Sequence, residues 1–129
     1  MNETLFEKII SGDIPSIQIY KDDVCIVILD KFPTTEGQVL IIPLQPIDYI
    51  FDLDSTTYSH CFTVAKKIAT AIDSALQPIR TCIVVEGFEV PHAHIKLFPV
   101  YKEQLEINGG KEASDEVLQS TAKRIKEKL

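Results

Sequence analysis

Apolar positions change their spacing along the chain, and each change marks an element. Leu5, Phe6, Ile9 and Ile10 recur at helical steps with Gly12 as a stop, so Thr4 to Ser11 is predicted as a short helix capped by Asn2 or Thr4. Ile17 to Tyr20 and Val24 to Leu29 are β-favouring runs split by Lys21-Asp22-Asp23, which has hairpin-turn chemistry. Phe32 to Gly37 reads as a loop, and Gln38 to Ile42 as a strand closed by Pro43. From Ser55 to Leu76 the period becomes helical: Tyr58, Phe62, Ala65, Ile68, Ala69 and Ile72 share a face, and Asp54 or Ser55 supplies the N-cap. Ile79 to Val85 is the next strand, and Glu86-Gly87-Phe88 leads from it into a run ending at Pro99. Beyond Tyr101 the chain turns polar, with a break at Asn108-Gly109-Gly110. Ser114-Asp115-Glu116 then opens a last helix with Val117, Leu118, Ala122 and Ile125 on one side. Its acidic start and its basic end (Lys123, Arg124, Lys126, Lys128) match the helix dipole, which explains the basic cluster without nucleic acid.

These elements assemble into an α+β domain spanning 1–129. An antiparallel sheet of about five strands carries the long helix on one face, with short helices at the N- and C-terminal ends. The run before Pro99 is the chemically distinctive one. In an extended strand His92, His94 and Lys96 line one face while Ala93, Ile95 and Leu97 line the other, so one face is polar and one is core. Imidazoles in a row can bind a metal, hold an anion or present a nucleophilic nitrogen. Two ordinary half-exposed histidines are the bland alternative. Zinc is the weaker chemical option, because Lys96 at the third position is a strongly hydrated cation that repels a metal. His60 has no polar partner within sequence reach on its helix and reads as structural.

Composition narrows the partners. The formal charge of −6 opposes long polyanions and polybasic membrane anchoring, which leaves a small nucleotide in a local pocket compatible with the field. With 45% hydrophobic residues in 129, one domain has material for a real core. Cys25, Cys61 and Cys82 form an odd set with no close pair in sequence, each in an apolar segment, as suits a reducing interior. No signal-like opening occurs and no apolar run approaches the ~18 residues of a membrane span, so the expected location is cytoplasmic.

Three blocks, in order, carry a family resemblance. They are Leu5 to Ser16, Asp30 to Pro43, and His92-Ala93-His94-Ile95-Lys96-Leu97-Phe98. Together they resemble the histidine triad (HIT) nucleotide-binding proteins, whose signature is His-x-His-x-His followed by two apolar residues; here Lys96 stands in the third histidine's place. Glu89-Val90-Pro91-His92 before the motif resembles a bacterial branch with a short preceding loop. The resemblance implies that His94 is the nucleophile attacking the α-phosphorus of a nucleoside phosphoramidate or related conjugate, oriented by the carbonyl of His92. It implies that Asp30 accepts the ribose hydroxyls and that Leu5, Phe6, Ile9, Ile28 and Leu29 help form a base pocket, although each apolar residue reads equally well as core. Gln38 takes a position beside the phosphate where relatives usually have histidine, and it can donate a hydrogen bond but not shuttle a proton. Lys96 can hold a phosphate oxygen but does not suit proton transfer near neutral pH. The implied activity is a HIT-type hydrolase of reduced rate. The alternatives are a non-catalytic nucleotide-binding or sensor module and a dinucleoside polyphosphate hydrolase. The resemblance further implies a purine nucleotide as partner, a homodimer joined by the long helix and an edge strand, and no cofactor. Some relatives carry a zinc-binding Cys-x-x-Cys near the N-terminus. Thr4, Glu7 and Pro46 occupy the corresponding positions, so no structural zinc is expected there.

Overall fold

The structure, a computed structural model, describes residues 3–129; the alternative helix cap at Asn2 lies outside them. The elements run α1 (Leu5–Ser11), β1 (Gln18–Lys21), β2 (Cys25–Leu29), β3 (Val39–Pro43), α2 (Ser55–Leu76), β4 (Arg80–Val84), β5 (Ile95–Val100) and α3 (Asp115–Lys126), with one 3-10 turn at Ile50–Asp52. The five strands form an antiparallel sheet in the order β1-β2-β3-β5-β4, so β1 and β4 are its edges.

Both faces of the sheet are covered, which is why β2 and β3 are buried at every position rather than alternately. The pleat still sorts their side chains. Cys25, Val27, Leu29, Val39, Ile41, Ile95 and Leu97 point into the larger core beneath α2, joined by Cys61, Ile68 and Ile72. Ile26, Ile28, Leu40 and Ile42 point the other way and pack with Phe6 of α1. A second, smaller core therefore lies under the N-terminal helix. α3 closes the α2 side near β1.

Local chemistry sets the boundaries. Thr4 and Glu7 form a reciprocal capping box at the start of α1, and Gly12 ends it at φ +89°, where a side chain would be strained. Asp54 caps α2 through the Thr57 amide, and Ser114 caps α3 through that of Val117. In the β1–β2 turn, Asp22 Oδ1 accepts from the amides of Val24 (2.8 Å) and Cys25 (2.9 Å). Burial works against this carboxylate, but the hydrogen bonds from His60, Val24, Cys25 and Tyr20 outweigh it and hold its pKa well below the ordinary range.

Three expectations change. The histidine run is not itself strand: pairing begins at Ile95, because Pro91 has no amide to donate and the Ala93 amide bonds to the Ile47 carbonyl (2.7 Å) instead of a neighbouring strand. The alternation of faces persists, since Ala93, Ile95 and Leu97 all enter the α2 core. Val117 is exposed rather than packed, because the buried face of α3 runs through Leu118, Thr121, Ala122 and Ile125, one step round the helix. His60 does have a polar partner, Asp22 Oδ2 at 2.7 Å, brought from 38 residues away by the β1–β2 hairpin. Two of the three cysteines meet in space: the Cys61 thiol beside it and burial push the Cys25 thiol upward, and both side chains pack in the core under α2.

Candidate active site

The cleft on the α1 side is built around His94. Its side chain is buried, and its Nδ1 lies 2.8 Å from the carbonyl oxygen of His92. A carbonyl only accepts, so Nδ1 carries the proton and Nε2 is left with the lone pair in the neutral ring. Burial, and to a smaller extent the charges of Lys96 and His92, lower the His94 pKa against the raising effect of that backbone hydrogen bond. The ring is neutral at pH 7.

His92 is held at both ring nitrogens. Nε2 is 2.7 Å from the Pro43 carbonyl and therefore donates, while Nδ1 is 3.3 Å from the Thr4 hydroxyl. Phe6 packs edge-on against both rings, with centroids 4.8 Å from His94 and 5.9 Å from His92. Thr4 thus caps the start of α1 and steadies the first histidine at once. A slip of α1 along the sheet would disturb both imidazoles.

Lys96, only 7% exposed, lies on the same face, and its Nζ forms an ion pair with Glu86 Oε1 at 3.0 Å. Glu86 follows β4 and was not singled out by the sequence; ten residues separate it from Lys96, and no motif links them. Gln38 is also buried and is held at both the nitrogen and the oxygen of its amide. Its Nε2 donates to Asp30 Oδ2 at 2.7 Å and its Oε1 accepts from the Thr34 amide at 2.8 Å. Asp30 accepts a second bond from the Phe32 amide at 2.9 Å, and each carboxylate oxygen retains a further lone pair.

These groups surround two adjoining cavities. One, of about 300 Å³, is lined by His94, Lys96, Gln38, Glu89 and Val90 and is bounded by residues 107–110. The other, of about 410 Å³, is mostly apolar and is lined by Ile9, Ile14, Pro15, Ile28 and Leu29. Leu5, Phe6, Asp30, Phe32 and Leu40 face both. The structure therefore gathers Leu5, Phe6, Ile9, Ile28, Leu29, Asp30, Gln38, His94 and Lys96 around one continuous depression, with His92 directly behind it. Leu29 contributes from the rim, since its side chain belongs to the α2 core.

The segment after β5 completes the wall, which the sequence alone read as a flexible break. The Thr34 hydroxyl donates to the Glu106 carbonyl at 2.6 Å and the Ala113 amide to the Lys31 carbonyl at 2.9 Å, strapping residues 106–113 across the loop after β2. A Cβ on Gly110 would run into the carbonyl of Phe32. The Gly109-Gly110 pair was the visible signal; its reason is close backbone approach at Gly110 and a left-handed φ of +87° at Gly109.

A five-stranded antiparallel sheet presenting a carbonyl-oriented imidazole to a two-part cleft defines a protein of the histidine triad class. The HIT domain matches residues 11–103, and the chain belongs to the HIT family. It is 32% identical over 102 residues to protein hit of Bacillus subtilis, covering 75% of this chain and 70% of that one. It is 48% identical over 103 residues to the adenylylsulfatase HINT3 of Arabidopsis thaliana, covering 76% of this chain but only 52% of that longer protein. Among solved structures, a Hit-like protein involved in cell-cycle regulation from Bartonella henselae superposes with TM-score 0.91 at 28% identity, covering 100% of this chain and 98% of that one. The α+β fold expected from the sequence is thereby shown.

Proposed function

We propose that the chain binds a purine nucleotide and hydrolyses nucleoside phosphoramidates or related nucleotide conjugates at the α-phosphorus. The observation that carries this reading is the His94 ring, neutral and fixed by His92 with the Nε2 lone pair unprotonated. The base enters the apolar cavity between α1 and β2, the ribose hydroxyls use the remaining lone pairs of Asp30, and the α-phosphate lies between His94 and Lys96. Nε2 attacks phosphorus and forms a P–N bond while the bond to the leaving amine breaks. That amine takes a proton from water, since no histidine stands at position 96 to give one. Water then attacks phosphorus, the P–Nε2 bond breaks, and the nucleoside monophosphate leaves. General acid assistance is typically worth ~10²–10⁴-fold, so its loss makes turnover slow. The adenylylsulfatase activity named for the HINT3 relative is chemically akin, as cleavage of a nucleotide conjugate.

One observation favours a second reading. Lys96 is paired with Glu86, and Gln38 with Asp30 and Thr34, so both groups nearest the phosphate are already occupied. A nucleotide-binding module without turnover is the alternative. We further assign the working protein to the cytoplasm as a homodimer joined through the α2 and β4 side; β4 is an open edge, with Ile83 on the strand and Ile79 just before it exposed. Among the described residues, no helix is long and apolar enough to cross a membrane.

The test is to quench the reaction with an adenosine phosphoramidate and weigh the protein. A mass gain of one adenylyl group, absent in His94→Ala, supports the hydrolase. AMP binding with neither adduct nor turnover in the wild type supports the module, and absence of both binding and turnover removes both readings.

A further inference from the structure

Beneath α2, on the sheet face opposite His94, three side chains of metal-ligating type meet at the corner between the β1–β2 turn and the helix. One ligand atom from each of Asp22, Cys25 and His60 lies within 4.8 Å of the other two. Asp22 does not depend on His60 for its position: two backbone amides hold Oδ1, and the Tyr20 hydroxyl donates to Oδ2 at 2.8 Å. Cys25 is fully buried at the inner side. The His60 and Asp22 side chains are 39% and 23% exposed, so the outer side is open and an ion has a way in.

We propose that this corner is a zinc site, with Cys25 Sγ, His60 Nε2 and Asp22 Oδ2 as ligands and water in the fourth position. A thiolate, an imidazole and a carboxylate suit Zn²⁺ and exclude the all-oxygen preference of Mg²⁺ and Ca²⁺. Metal–ligand bonds of about 2.0–2.3 Å in a tetrahedral set place ligand atoms roughly 3.3–3.8 Å apart. The present arrangement brackets that range, from 2.7 Å between Asp22 and His60 to the 4.8 Å ceiling, so side-chain rotation suffices. On binding, the Cys25 thiol gives its proton to solvent, and His60 gives up the Nε2 proton that it donates to Asp22 and takes one on Nδ1 from solvent, so that the ring stays neutral and Nε2 is free for the ion. One proton is released per ion. Asp22 retains its amide and Tyr20 hydrogen bonds, which hold the carboxylate in orientation. The ion would clamp the β1–β2 hairpin to α2. It lies across the sheet from the cleft and takes no part in the chemistry there.

The full-length chain, stripped with a chelator, is titrated with Co²⁺ and then Zn²⁺. One equivalent of Co²⁺ should raise a thiolate-to-metal absorption that Zn²⁺ discharges, and Zn²⁺ should raise the thermal midpoint. Cys25→Ser should lose the absorption and bind Zn²⁺ at least about 100-fold more weakly, the upper end of what losing a mere supporting group costs. Cys61→Ser removes the neighbouring buried thiol but no ligand, and should keep both. If Cys25→Ser fails to fold, His60→Ala at its part-exposed position carries the test and should weaken binding comparably. No thiolate absorption in the wild type, equal loss in Cys25→Ser and Cys61→Ser, or unchanged affinity in His60→Ala would each overturn the assignment.

Discussion

The two faces of the sheet are built from the same strands and do opposite things. Under α2, Val27, Ile41, Ile95 and Leu97 meet Ile68 and Ile72 with no exposure beyond 0% at any of the six, and the result is an apolar core. Under α1, the same β3–β5 region buries Gln38, His92, His94 and Lys96, each at 7% exposure or less, beside a smaller apolar cluster. Burying such groups is costly unless every one is partnered, and among the described residues no buried side-chain nitrogen or oxygen lacks a hydrogen bond. The comparison separates two jobs: one face holds the fold together, and the other holds imidazoles in fixed orientation at some cost in stability.

The contrast can be broken from either side. The largest expected effect is on the α2 face, where Ile68→Ala should cost ~2–5 kcal/mol in a denaturant titration, since Ile68 is fully buried. Gly110→Ala comes next. Its Cβ cannot coexist with the Phe32 carbonyl, so the strap over the cleft must shift. AMP affinity should fall by about 1–3 kcal/mol, the scale of a strained or displaced backbone position, while the unfolding midpoint moves little. Glu86→Gln is a gentler change that frees Lys96 from its carboxylate. Calorimetry should show AMP binding strengthened, because the phosphate then becomes the partner of a buried ammonium that has lost its carboxylate.

How far these faces were legible in the sequence depends on the range of the interactions. Helix α2 was readable from end to end because its Asp54 cap and 3.6-residue period are local. His92, His94 and Lys96 were placed on one side because alternation survives even where strand pairing does not. Glu86 on Lys96, Thr4 on His92 and Asp22 on His60 were not visible. Each is a single contact spanning 10, 88 or 38 residues, and only the assembled sheet brings the partners together. Val117 was misplaced for a related reason: a helical period defines a stripe, and the tertiary neighbour decides where that stripe is centred.

The smallest lever is pH, and its sign follows from His94. Burial makes its folded pKa lower than the unfolded value near 6.5, so the folded state favours the neutral ring. This group's contribution to stability is present above that unfolded value and is lost as pH falls below it. Turnover should hold through pH 7 and decline only on the acidic side of 6.5, as the Nε2 lone pair is protonated. A rate that already falls on acidification above pH 7 would contradict a lowered His94 pKa.

The most direct measurement is single-turnover hydrolysis of an adenosine phosphoramidate by the wild type beside His94→Ala, with folding of both checked by circular dichroism. Slow but measurable release of AMP is expected from the wild type, and background release from a folded His94→Ala chain. Equal rates in the two proteins would contradict His94 as the nucleophile.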